Sequence, residues 1–410
     1  FAKIEPLVRD DYLMYEYKRM WWPTEFYRNQ TLSTIWADLT NPPMRSALWQ
    51  IWFNRDYTEY AAVTGNTSLT LATWSPSDLL RMYIRRDVAA QIWEYGITPQ
   101  PEEPKVDPYA SNTISLDPIK VISVVGQSTF SAPRGIAVAP DGSLFVADSR
   151  NHRIVHLDPT GLYLNSWGSY ANVLEGPAPE GAFNEPWGVA VGPDGLVYVA
   201  DTWNHRIQVF TPEGTFVRMW SDWLVQGVID SFWGPRGIAV DALGHVLVTD
   251  TGKQRVVVFD SQGNYLTQFG SRGIAEGQLD EPVGIAVDAA GKVYIADTWN
   301  NRVQVFAPNA DFTIYTSVLT WEVDAWTSDS LDNKPFIALS PEGEVYITDP
   351  DLGRVIRFDA EGNFLQLWGG YENEYLMGII SGIAIGQDGT VWVSDALNNS
   401  LLVFEPPAVP

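Results

Sequence analysis

Residues 133–168 read PRGIAVAPDGSLFVADSRNHRIVHLDPTGLYLNSWG, and how often this pattern returns decides the fold. Four short apolar runs are divided by polar or glycine-bearing turns. The second run ends on Asp148, and Arg153 opens the third. The same second run returns as LVYVAD, HVLVTD, KVYIAD, EVYITD and TVWVSD, ending on Asp201, Asp250, Asp297, Asp349 and Asp395 at intervals of 53, 49, 47, 52 and 46 residues. Arginine follows five positions later in all but the last copy, as Arg206, Arg255, Arg302 and Arg354, with Ser400 completing the series. Short strands joined by tight turns, repeated at such a period, predict an all-β six-bladed propeller in which neighbouring blades bury both faces of each sheet. The last copy stops at LLVFEPP without a fourth run, whereas IKVISVVG (119–126) looks like a fourth run with no copy of its own. Strand 119–126 is therefore expected to close the ring by pairing with the strand near Leu401–Phe404, which removes an open sheet edge.

The segments RNHR (Arg150–Arg153) and WNHR (Trp203–Arg206) carry a resemblance to the NHL-repeat family, and the recurring pattern extends it over residues 119–410. The resemblance implies a six-bladed propeller of NHL type. The residues themselves give the Asp and Arg positions a structural role: a carboxylate at a strand end accepts hydrogen bonds from the following loop, and the arginine starts the next strand within its reach. His152 and His205 occupy matching loop positions. Other copies place Gln254, Asn301, Gly353 and Asn399 there, which speaks against metal ligation by the pair.

Residues 1–98 read differently. Trp21, Trp22, Trp36, Trp49, Trp52, Trp74 and Trp93 fall in stretches with apolar residues every three or four positions, so a small α-rich, aromatic amino-terminal domain is expected there. Residues 99–118, with proline at five positions, read as a connector. YEYKRMWWPTEFYR (15–28) and LLRMYIRRDVAAQIWEYG (79–96) resemble the region that follows the membrane domain in flippase-activity-associated bacterial membrane proteins, which are GT-C-like glycosyltransferase relatives. That resemblance implies an extracytoplasmic tail, a membrane domain upstream of Phe1, and glycosyltransferase chemistry located elsewhere. A first residue other than Met likewise suggests a processed or excised piece of a longer chain. Asn-x-Ser/Thr sequons begin at Asn29, Asn66 and Asn398.

The chain holds 26 Lys and Arg against 50 Asp and Glu, a formal charge of −24, which opposes nucleic acid as a partner. Residues 119–410 carry 15 of those bases and 35 of the acids. With no cysteine, neither disulfides nor thiolate metal sites arise. Because strand direction alternates, the loops after second strands and the connections between blades share one face, here called the mouth. It collects Arg134, Arg150, Trp187, Trp203, Arg236, Lys253, Trp299 and Asn300, a basic and aromatic set suited to a glycan, peptide or protein ligand. Two structural alternatives stay open: Arg134 and Arg236 can pair with acids such as Glu185 and Glu281, and Trp203 and Trp299 can pack between blades. The inner runs (GIAVAP, GVAVGP, GIAVDA, GIAVDA, IALSP, GIAIGQ) offer no catalytic residue, metal ligand or cofactor motif. A non-catalytic binding or assembly domain is the expected function, and a metal-dependent propeller enzyme of lactonase or lyase type is the alternative.

Overall fold

The computed structural model describes residues 107–326, 334–370 and 376–405. The helices expected over residues 1–98 lie outside the described residues. The described chain is all-β, with six four-stranded antiparallel sheets arranged as blades. Their first strands are Pro133–Val138, Pro186–Val191, Pro235–Val240, Pro282–Val287, Ile337–Leu339 and Ile380–Ile385. Each first strand touches those of the blades before and after it, and the sixth touches the first, so the ring is closed.

Two features of the repeat explain this arrangement. Every residue of the six second strands, from Leu144–Asp148 to Val391–Asp395, is buried, as expected for sheets covered on both faces. The apolar clusters lie between successive blades: Phe145 and Ile154 of blade 1 pack with Val189 and Phe210 of blade 2, and Val248 and Val257 of blade 3 pack with Ala190 and Val209 of blade 2. The second feature is the glycine of GIAV. A Cβ at Gly237 would stand 2.0 Å from the Val283 carbonyl oxygen, and one at Gly188 would stand 2.2 Å from that of Arg236. Around the axis the inner strands approach so closely that only glycine fits. Blade 5 has Phe336 at this position, its amide bonded to Thr348 Oγ1 as that of Gly237 is to Thr249 Oγ1, and its inner strand is only three residues long.

Closure is made by Lys120, Val121 and Ile122, which pair with Val403, Leu402 and Leu401 on the last strand of blade 6. The pairing is shorter than the run 119–126. At Ser123 the chain turns away, and Val124–Val125 pairs with Ser128–Thr129 in a separate hairpin. Burial explains the break, because Ile122 and Val125 both drop into the apolar cluster between blades 6 and 1, and a continued straight ladder is exchanged for that packing.

The connector also differs from a free spacer over its second half. Tyr109 is buried among residues of blades 4 and 5, with its ring 4.8 Å from that of Phe364 and its hydroxyl accepting from the Asp324 amide at 2.9 Å. Asp107 pairs with Arg354, the Asn112 side chain donates to the Leu365 carbonyl, and the Ile114 amide donates to the Leu367 carbonyl at 2.9 Å. Residues 107–118 thus strap the outer edge of blade 5 before reaching the closing strand. An otherwise unpaired edge and one buried aromatic outweigh the extended bias of proline.

Candidate functional site

The mouth is built on the loop that follows the Asp ending each second strand. In blades 1 to 4 this loop is a single 3-10 turn (Ser149–Asn151, Thr202–Asn204, Thr251–Lys253, Thr298–Asn300) ending on a left-handed residue, His152, His205, Gln254 or Asn301. The Asp organises the loop. Asp148, Asp201, Asp250 and Asp297 each accept a backbone amide from the residue 17 positions earlier and pair with the arginine five positions later, at 2.7, 2.8, 2.9 and 2.7 Å. Burial pushes these carboxyls up from their ordinary value, and the arginine and the amides oppose that shift. The repeat's acid and base are therefore structural staples within a blade.

The residues around them join one blade to the next. Thr202 Oγ1 donates to the Pro235 carbonyl at 2.9 Å, and Thr251 Oγ1 to that of Pro282 at 2.7 Å. His152 Nδ1 accepts the Glu185 amide at 3.1 Å, His205 Nδ1 accepts that of Gly234 at 3.0 Å, and Asn399 Oδ1 takes the same role toward Ala132 at 2.8 Å. These histidines are interblade acceptors. Burial holds both below the ordinary 6.5, in the neutral form that can accept. A depressed folded-state value means that their contribution is complete above the unfolded value and is lost as pH falls through the folded one. Thermal melts at about pH 7 and about pH 5 should show that His152→Asn/His205→Asn, which keeps an acceptor suited to left-handed backbone, loses a few degrees less than the parent on acidification. An equal loss in both proteins would mean that the histidines do not titrate against folding.

The structure divides the sequence-derived site set by depth. Arg134, Trp187 and Arg236 hold equivalent positions in blades 1 to 3 and come together at the axis. The Arg134 and Arg236 guanidinium carbons lie 3.6 and 4.4 Å from the Trp187 ring centroid, and Trp187 is 0% exposed. Arg236 also pairs with Glu281 at 3.2 Å. These three close the axis rather than face solvent. Of the others, Lys253 donates to Asp230 and to the Ser231 carbonyl, and Asn300 completes the Asp297 staple. The hydrogen bond from Arg255, joined by that from Lys253, holds the Asp230 carboxyl far below the usual carboxylate range. Trp299 lies half-buried under Lys334. Trp203, 38% exposed, donates from Nε1 to Glu185 at 3.3 Å, and Arg150 is exposed.

What sequence reasoning missed is the apolar rim. Leu174 in the connection from blade 1 to blade 2 and Ile274 in that from blade 3 to blade 4 are each 83% exposed. Between blades 2 and 3 a hairpin, Asp222–Val225 paired with Val228–Ser231 around the left-handed Gln226 and Gly227, lifts Leu224, Val228 and Ile229 into solvent, and exposed Trp233 stacks on His205. The available signal was apolar residues lying between copies, off the four-run pattern. The opposite face also exposes single apolar side chains, Leu162, Leu243 and Ile314, but is dominated by acids. Its turns carry Asp141, Asp158, Asp241, Asp260, Asp288 and Asp359, each accepting amides of its own turn.

The NHL repeat model matches residues 130–157, 183–210, 232–259 and 279–306, so blades 1 to 4 carry NHL repeats. The chain is similar to NHL repeat-containing protein 2 of Homo sapiens, 44% identical over 80 residues that are 18% of this chain and 11% of that protein. It is also similar to peptidylglycine alpha-amidating monooxygenase of Rattus norvegicus, 31% identical over 114 residues, 26% of this chain and 11% of that protein. The matched stretches thus span only 11% of the length of either relative. Among solved structures, a gluconolactonase from Xanthomonas campestris superposes with a TM-score of 0.50 at 14% identity, covering 74% of this chain and 99% of its own. At that identity the likeness is one of fold.

Proposed function

We propose that this chain is a binding or assembly propeller that recognises a polypeptide partner through the apolar rim of its mouth. An NHL propeller supports a binding or assembly role, and the rim is the observation that carries the choice of partner. Leu174, Ile229, Trp233 and Ile274 come from three successive interblade connections, stand clear of the interblade clusters and share a face with Trp203 and the basic groups of the mouth. Exposed aliphatic side chains at loop tips, edged by charge, are what a protein interface buries. A glycan would draw more on polar donors, and here the Arg236, Lys253, Trp203 and Asn300 groups are already committed to neighbours within the chain. The alternative of a metal-dependent lactonase or lyase gains nothing beyond the fold likeness: among the described residues no three His, Asp or Glu side chains group as metal ligands do. Introducing aspartate on the rim tests the proposal, since it should abolish partner binding while leaving the blades folded.

A further inference from the structure

Where the connection from blade 4 enters blade 5, Lys334 is fully buried. Its Nζ lies 4.6 Å from the Trp299 ring centroid and has no hydrogen-bond partner. Asp280 is joined to the backbone of Trp299, its carbonyl accepting the Trp299 amide at 3.1 Å while its own amide donates to Asp297 at 2.6 Å. Its side-chain Oδ1 is buried without a partner. Lys334 and Asp280 feel each other's charge, yet no hydrogen bond joins them. Glu281, the next residue, is bonded to Arg236. On the neighbouring ring of axial residues, Trp187 Nε1 and Ser381 Oγ are likewise fully buried and unpartnered. A buried polar atom left without a partner is destabilising, so four of them in one region of the mouth need an account.

Their chemistry selects the ligand. An ammonium, an indole N–H and a hydroxyl can donate, one carboxyl oxygen can accept, and an indole face is at hand. A carboxylate ligand would meet the donors but would stand against Asp280, Glu281 and Asp351, whose charges reach Lys334. A cationic ligand would stand against Lys334 and Arg236. A hydroxyl brings no charge and uses one oxygen to accept from Lys334 and to donate to Asp280. A ring with several hydroxyls also has a C–H face for Trp299.

We propose that the Lys334–Asp280–Trp299 cluster binds a small neutral polyol of sugar type, one hydroxyl of which bridges Lys334 Nζ and Asp280 Oδ1. The site is separate from the apolar rim and stands or falls without it. Burial pushes the Asp280 carboxyl up to about 6 and the Lys334 amine down to about 8, so both charges are short of solvation. A bridging hydroxyl supplies hydrogen bonds to the charged form of each.

The test is a titration of the whole chain with D-glucose, myo-inositol and glycerol, and separately with sodium acetate at matched ionic strength, followed by the indole N–H NMR signals of Trp299 and Trp187 assigned through Trp→Phe variants. At least one polyol should shift these signals saturably, with a millimolar constant. Lys334→Met should weaken it about tenfold or more, whereas Asp280→Asn, which keeps an acceptor oxygen, should weaken it by no more than about threefold. Saturable binding of acetate with inert polyols would replace the proposal by an anion site. Silence from all four probes to about 100 mM would mean that the cluster is merely hydrated. If Lys334→Met does not fold, Lys334→Gln takes its place, and the contrast between polyols and acetate on the parent chain decides without either variant. Aspartate on the rim should leave this titration unchanged.

Discussion

Replacing the closing strand with Lys120→Gly, Val121→Ser and Ile122→Gly is expected to lower the melting temperature by roughly 10 °C and to favour aggregation. The effect comes from two sources. Ile122 is 7% exposed and packs between blades 6 and 1 with Trp392, Leu401 and Val403, so removing it alone costs about 2–5 kcal/mol. Loss of the three pairings to Leu401, Leu402 and Val403 also bares the backbone edge of blade 6, which an unclosed propeller offers to other chains. Lys120→Ser alone should change little, since Lys120 is exposed and its amine donates to the Thr160 carbonyl at the surface. Calorimetry showing the triple variant to melt with the parent would mean that something other than this strand closes the ring.

The second large effect concerns binding. Leu174→Asp, Ile229→Asp and Ile274→Asp together should reduce affinity for the partner by about 100-fold or more, since buried interface anchors are each worth about 1–2 kcal/mol or more. Stability should stay within about 0.5 kcal/mol of the parent, as is usual for exposed sites outside special features. These residues are 83%, 72% and 83% exposed, so no core contact is lost. The matched control is Leu243→Asp with Ile314→Asp, at turns of the opposite face, and it should bind as the parent does. Surface binding assays in which the control fails and the rim variant holds would place the interface on the acidic face.

Much of this architecture was legible because a propeller blade repeats its own hydrogen bonds. Asp201 and Arg206 lie five residues apart in the sequence and 2.8 Å apart in space, so the spacing of the motif is the geometry of the staple. Depth was not legible. Alternating strand direction assigns Arg134, Trp187 and Arg236 to the mouth, but the glycine after each draws the inner strands so close that a Cβ at Gly135 would meet the Trp187 carbonyl at 2.5 Å. The side chains just before those glycines then fold over the axis and cover one another, which turns an expected binding surface into a buried plug. Pattern reading also passed over residues that belong to no repeat. Lys334 precedes a blade and Tyr109 sits in a proline-rich stretch, each taking its role from neighbours far away in sequence, and Ile229 lies in a hairpin inserted between blades.

Photo-cross-linking most directly tests whether the mouth is the recognition face. A photoreactive phenylalanine analogue placed singly at Ile229 or Ile274 on the rim, and at Leu243 or Ile314 on the opposite face, is irradiated in the native setting of the protein, and adducts are identified by mass spectrometry. The same polypeptide should be captured from Ile229 and from Ile274, and lost in chains that also carry Leu174→Asp, with no adduct from Leu243 or Ile314. Capture from Leu243 or Ile314, or none from either rim position, would contradict it.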